Sequence, residues 1–220
     1  MVEMTTADDG LLLAEILATR LCHDLSGQVN TVVAAIEMLR DEPASADEAM
    51  DLASDAGLAL VRRLRLLRAA WGGSCMALRV PDLRSLVHGA FGAAVHLDLD
   101  GLDPAGAFSP DAARLVLNVM LLAAESLPGG GAVAVAGDPT DDVLIRISGP
   151  RAGWPPGLAG MLADRAHARI SLRNNAGGPR ALQAPLTAMI AHATGLRLAF
   201  LMAAQAEAAP PLVMEIRSLH

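Results

Sequence analysis

DDGLLLAEILATRLCHDLSGQVNTVVAAIEMLR, residues 8–40, is the stretch that decides the fold. No proline interrupts it, Gly27 is its interior glycine, and apolar residues recur at three- and four-residue steps, which predicts one long helix. Asp41, Glu42 and Pro43 stop the run. Ser45 then reads as an N-cap with Glu48 three residues on as a capping box, and a second apolar-periodic run continues to Trp71. A turn of about four residues suits antiparallel neighbours, so the first part of the chain is expected to be a helical hairpin. Gly72 and Gly73 mark the hinge to the rest of the chain, giving a first domain over residues 1–72 and a second over 73–220.

Two helices share a single seam and leave apolar surface outside it. Pairing two hairpins, one per chain, closes a four-helix bundle, so a C2 homodimer is expected.

Beyond Gly73 the texture changes to short β-like runs alternating with amphipathic helices, the pattern of an α/β two-layer sandwich and, with the hairpin, of an α+β chain. The expected elements are a strand over 76–80, a helix from Pro81, and a strand over 95–99. A helix from Ser109 to Leu127 comes next, then a β-hairpin of 132–136 with 143–148, a short helix over 158–165, and a helix over 179–194. Strands over 196–203 and 212–218 close the domain, with residues 205–211 as a loose loop between them.

The 220 residues are 53% apolar but only 2% aromatic, so the core must be filled by Ala, Leu, Val, Ile and Met. A net charge of -7 with scattered arginines argues against a nucleic-acid surface, which carries a basic stripe. The first ten residues are polar and acidic, unlike a secretory signal, and the most apolar stretches are broken by Arg114 and Asn118 or by His192 and Arg197. Cys22 and Cys75 have no metal-site spacing and fit a reducing compartment. A cytoplasmic location is expected.

On a helical wheel of about 100° per residue, Leu21, Leu25, Val29, Val32, Ile36 and Leu39 fall in one arc, and His23 lies roughly 160° from its centre. The same outward face is expected to carry Arg20, Ser26, Gly27, Asn30 and Glu37, with Thr31 beside them. The surface one turn after His23 is therefore small, and a large partner can approach the imidazole closely. Asp24 reads either as its functional neighbour or as a solvating surface acid. No Gly-x-Ser-x-Gly elbow or His-Glu-x-x-His helix is present, and the remaining histidines are spread singly.

Cys22-His23-Asp24-Leu25-Ser26-Gly27, mid-helix in the first arm of a hairpin, resembles the phospho-accepting segment of histidine-kinase dimerisation domains. Further segments occur in order: Arg68-Ala69-Ala70-Trp71-Gly72, Leu117-Asn118, Ser126-Leu127-Pro128-Gly129-Gly130, Ser148-Gly149-Pro150-Arg151-Ala152 and Gly177-Gly178-Pro179. Together, from about Leu11 to Ile216, they resemble the ChpT histidine phosphotransferase family of alphaproteobacteria. One departure is Gln28, where such sequences usually have proline.

The resemblance implies that His23 carries a phosphoryl group taken from the receiver domain of a hybrid histidine kinase and passed to response regulators. In ChpT proteins these are a cell-cycle transcriptional regulator and a small single-domain receiver. It implies that Asp24 orients the imidazole or handles its proton, that Arg20, Ser26, Gly27, Asn30 and Thr31 form the receiver-docking face, and that the divalent metal comes from the receiver, leaving this chain without a cofactor. It also implies that the second domain has the histidine-kinase ATP-binding (Bergerat) fold. That site uses an asparagine-bearing helix, an Asp-x-Gly turn that reads adenine, and Gly-rich loops. Asn118 is a relic of the first, but the turn is Ser148-Gly149-Pro150, and the chain has no lysine to bind phosphate. A degenerate site without ATP binding is expected. An active histidine kinase and a non-catalytic scaffold that binds response regulators are the alternatives.

Overall fold

The computed structural model describes residues 6–72, 76–174, 178–201 and 209–216. Gly73 of the expected hinge, Cys75, Gly177, residues 205–208 of the expected loop and the ends of the last two expected strands (202–203 and 217–218) lie outside them. The chain divides into two compact units, Met1–Arg65 and Leu66–His220, the division falling within the second helix.

The first unit is the helical hairpin. Helix α1 spans Thr6–Asp41 and α2 spans Ala46–Trp71. α1 runs through Gln28 as a single helix. Between the helices, Pro43–Ser45 form a 3-10 turn, so Ser45 is already helical rather than an N-cap. Proline at the first position of this turn presets φ for a helical start, and that replaces the expected capping box. The buried side chains of this unit are few and mostly small: Ile16, Arg20 and Ala35 on α1, Ala49 and Ala56 on α2. Large apolar side chains meanwhile stay exposed, namely Leu11, Val29, Val33 and Ile36 on α1 and Met50, Leu52, Leu58, Val61 and Leu64 on α2, of which Leu52 stands apart from the other four.

The second unit is a mixed five-stranded sheet covered by helices. Its elements in order are β1 (Leu78–Arg79), α3 (Val80–Val87), β2 (Val95–Leu102), β3 (Ala107–Phe108), α4 (Pro110–Glu125), β4 (Gly131–Gly137) and β5 (Asp142–Ser148). Then come α5 (Leu158–Ala163), α6 (Arg165–Asn174), α7 (Gln183–Thr194), β6 (Arg197–Phe200) and β7 (Leu212–Glu215). Strand order is β2-β4-β5-β7-β6, with β2 and β4 parallel and the other neighbours antiparallel; β1 and β3 form a separate small ladder. Val143, Ile145 and Ile147 of β5 alternate with less buried residues, as do Leu212 and Met214 of β7, so one sheet face carries the core. Ser109 caps α4, accepting from Ala112 N, and α4 is buried from Leu115 to Ala123 without a break.

The expected strand over 76–80 is shortened because Val80 already begins α3, with Pro81 in its first turn. α6 has no counterpart among the expected elements. Its sequence is polar, and the residues it buries are Ala168 and Leu172.

Candidate functional site

His23 sits at the middle of α1 with its side chain 47% exposed. Cys22, Ser26, Gly27 and Asn30 are exposed around it. A Cβ added at Gly27 would meet nothing within 4 Å, so this turn of the helix has open space beside it. The Ser26 hydroxyl donates to the Cys22 carbonyl at 2.6 Å and the Thr31 hydroxyl to the Gly27 carbonyl at 3.0 Å. Both are turned back on the preceding turn rather than outward. Thr31 is half-buried.

Asp24 is no solvating acid: its side chain is only 9% exposed. Arg20 Nε donates to its Oδ1 at 2.8 Å, and Arg63 Nη2, from α2, donates to its Oδ2 at 2.8 Å. His23 Nδ1 lies 3.4 Å from the same Oδ1 that Arg20 holds. Burial alone would raise the Asp24 pKa, but the Arg63 hydrogen bond and the charges of Arg20 and Arg63 outweigh it and hold the carboxyl below its ordinary value. Such a carboxylate is a fixed anion and a poor proton acceptor. Of the two roles open to it, the geometry favours orienting the imidazole over taking its proton.

Arg20 stands elsewhere than expected. Its side chain is 3% exposed and reaches one turn along α1 to Asp24, so it belongs to the hairpin interior rather than the outward face. The long apolar stem of arginine is buried readily once a carboxylate pairs its head. Arg63 lies in none of the motifs legible in the sequence, although a signal for it exists. Asp24 lies 18 residues before Glu42 and Arg63 lies 18 residues after Ser45, so an evenly folded hairpin sets the two opposite each other.

In the second unit Asn118 is fully buried and fully used. Its Nδ2 donates to the carbonyls of Ala70 at 2.9 Å and Arg114 at 2.8 Å. Its Oδ1 accepts from Trp71 Nε1 at 3.2 Å and Gln183 Nε2 at 3.1 Å. Two donors and two lone pairs exhaust the amide, so Asn118 joins the end of α2 to α4 and α7 and has no capacity left for a ligand. An Asn118→Ala protein should lose about 3 kcal/mol of stability, since several buried partners would be stranded. At this chain length that is roughly 6–12 °C in Tm, read by calorimetry.

The turn after β5 is closed in a similar way. Arg151 Nη2 donates to the Pro128 carbonyl at 3.2 Å, Gly153 N donates to the Ser126 carbonyl at 3.1 Å, and a side chain at Gly149 would collide with the Gly130 carbonyl. Two segments picked out separately in the sequence, 126–130 and 148–152, are thus bound to each other.

A family model described as the histidine phosphotransferase C-terminal domain matches residues 80–206, more than half of the chain. No curated protein matches. Among solved structures, one described as a bacterial phosphotransferase has a TM-score of 0.70 at 20% identity, covering 97% of this chain and 98% of its own. Full-length ShkA in complex with AMPPNP has a TM-score of 0.39 at 13% identity, covering 91% of this chain and 44% of its own, a likeness too slight to argue from. The first establishes a shared fold of hairpin and sheet domain.

Proposed function

We propose, because the chain belongs to the histidine phosphotransferase family, that it relays a phosphoryl group through His23 between the receiver domain of a hybrid histidine kinase and downstream response regulators. The observation that carries this reading is an exposed imidazole at mid-helix beside a clamped carboxylate, with open space one turn on. With Nδ1–H directed to Asp24, Nε2 holds the lone pair that attacks phosphorus. The N–P bond forms as the bond from phosphorus to the donor aspartate's oxygen breaks, and the carboxylate leaves with the electron pair. The positive charge gained by the ring is spread over both nitrogens and faces the Asp24 anion. Return of the group to a regulator's aspartate is the same step in reverse. The divalent cation that offsets the phosphoryl charge is assigned to the receiver.

Ser26, Gly27 and Asn30 form the docking face, with Thr31 at its margin. No ATP is required by this chemistry. What supports ATP independence is the exhausted amide of Asn118, the closed turn at Gly149 and the lack of lysine. Among the described residues no helix is long and apolar enough to cross a membrane. A cytoplasmic location follows from the partners proposed, because receivers are charged by ATP-dependent kinases.

The functional unit is a homodimer with a four-helix bundle. Leu11, Val29, Val33 and Ile36 lie within about 60° on the α1 wheel, and Met50, Leu58, Val61 and Leu64 within about 120° on α2. All are exposed in the single hairpin. His23 is about 110° round α1 from the first stripe, so a partner covering the stripe leaves it open. Replacing Val29 and Ile36 by glutamate should weaken the dimer by about 100-fold or more, because each charge would enter an apolar seam. Sedimentation velocity checks this; wild type found as monomer at micromolar concentration would contradict the dimer.

The relay itself is tested with two receivers. Label must move from the first, free of nucleotide, onto this protein and then to the second; label that is accepted but never passed on would contradict a relay.

A further inference from the structure

The Asp24 site is built from both helices of the hairpin, and the residue that makes it so is Arg63. We propose that Arg63 is a positioning residue for phosphotransfer, holding Asp24 where its Oδ1 accepts the Nδ1–H of His23 so that Nε2 is the nucleophile; this rests on the phosphotransferase reading of His23.

A carboxylate with a side chain 9% exposed is costly unless charges and hydrogen bonds offset its lost hydration. Arg20 Nε holds Oδ1, the oxygen that also faces His23 at 3.4 Å. A single contact at that oxygen would leave the carboxylate free to rotate about its bond to the chain. Arg63 holds the other oxygen, Oδ2, at 2.8 Å, so both ends are fixed and the plane of the group is set. Among the described residues, the ionisable groups that face Asp24 are Arg20 and His23 from α1 and Arg63 from α2. Arg63 keeps 18% of its side chain exposed, enough to stand at the edge of the site but not to act as a loose surface cation.

The same geometry joins the reactive residue to the register of the hairpin. Arg63 reaches Asp24 only while α1 and α2 are paired evenly about the Pro43 turn. A slip of one residue would rotate Arg63 by about 100° away from the seam. The tautomer of His23 thus depends on a contact between residues 39 apart in sequence, and a docking event that shifted one helix against the other would reach the imidazole through Arg63.

The test compares wild type, Arg63→Gln, Arg63→Lys and His23→Ala, each first shown to be folded by circular dichroism. Long-range 15N–1H correlation spectra report the tautomer of His23 without any partner. Wild type should show Nδ1–H, and Arg63→Gln a mixture of tautomers. Transfer from a phosphorylated receiver should fall about 10- to 100-fold in Arg63→Gln, with part of the rate regained in Arg63→Lys. The pH profile should change too. With Arg63 gone, burial raises the Asp24 pKa, so Asp24 protonates as pH falls and Arg63→Gln loses rate on the acid side before wild type does. Unchanged tautomer, rate and pH profile in Arg63→Gln, with His23→Ala inactive, would overturn the role of Arg63 and leave the phosphotransferase reading standing. Wild type that accepts no label would instead overturn that reading. If Arg63→Gln does not fold, Arg63→Lys carries the test: it keeps the charge but not the fixed N–H fork, and a tautomer identical to wild type would count against positioning.

Discussion

A His23→Ala protein is expected to fold and associate as the wild type does and to accept no phosphoryl group. The two halves of this expectation rest on different facts. The side chain is about half exposed, and its only polar contact among the described residues is the long one to Asp24, so its removal leaves no cavity and strands no buried group. Stability should change by less than about 0.5 kcal/mol, and alanine is the better helix former at that position. Transfer has no second imidazole on this turn of the helix to take its place. Asp24 is bound by two arginines, the Ser26 hydroxyl is committed to the Cys22 carbonyl, and an acyl or ester phosphate at either would be chemically distinct from a phosphoramidate. The rate should fall to background, and thermal unfolding of the same sample should show that the loss is chemical.

Replacing Gly27 by tryptophan should nearly abolish transfer as well, for a different reason. An added side chain at Gly27 meets open space, so the hairpin tolerates it, and losing a mid-helix glycine even favours the helix by a few tenths of a kcal/mol. The indole would stand one turn from His23 on the face across which a receiver must come close enough for in-line transfer. A displacement of a few ångströms defeats a near-attack geometry, and a loss of about 100-fold or more is expected. Intact dimer by sedimentation with lost transfer identifies docking as the step affected. Gly27→Ala, which adds one methyl, should retain most of the rate. Normal transfer by Gly27→Trp would place the docking face elsewhere.

The hairpin is legible in the sequence because its signals are local. Apolar spacing, an uninterrupted run and Pro43 together set two helices and their turn. The sheet domain is legible in outline for the same reason, through the alternation in β5 and the proline after the Ser109 cap. α6 escapes because a helix that buries little more than Ala168 and Leu172 has almost no apolar period to read. Arg20 is misplaced by a wheel that assumes one buried arc. Arg20 and Asp24 lie in the seam between α1 and α2, while Val29 and Ile36, expected in the buried arc, lie on an exposed stripe. Asn118 stands out in the sequence as the trace of a ligand site, whereas its role in the fold depends on Ala70, Trp71 and Gln183, positions that no local pattern connects to it. His23 is found from its own segment; Arg63 requires folding the hairpin about its turn.

The proposed relay depends on one event, transfer of a phosphoryl group to His23. The most direct measurement mixes the purified wild-type protein with a phosphorylated receiver domain in the absence of nucleotide and maps the modified residue by mass spectrometry under neutral conditions. A phosphoryl group on His23, lost on mild acid treatment as a phosphoramidate must be, is the result expected. An unmodified His23, with the receiver losing its phosphate only to water or with an acid-stable phosphate elsewhere on the chain, would contradict it.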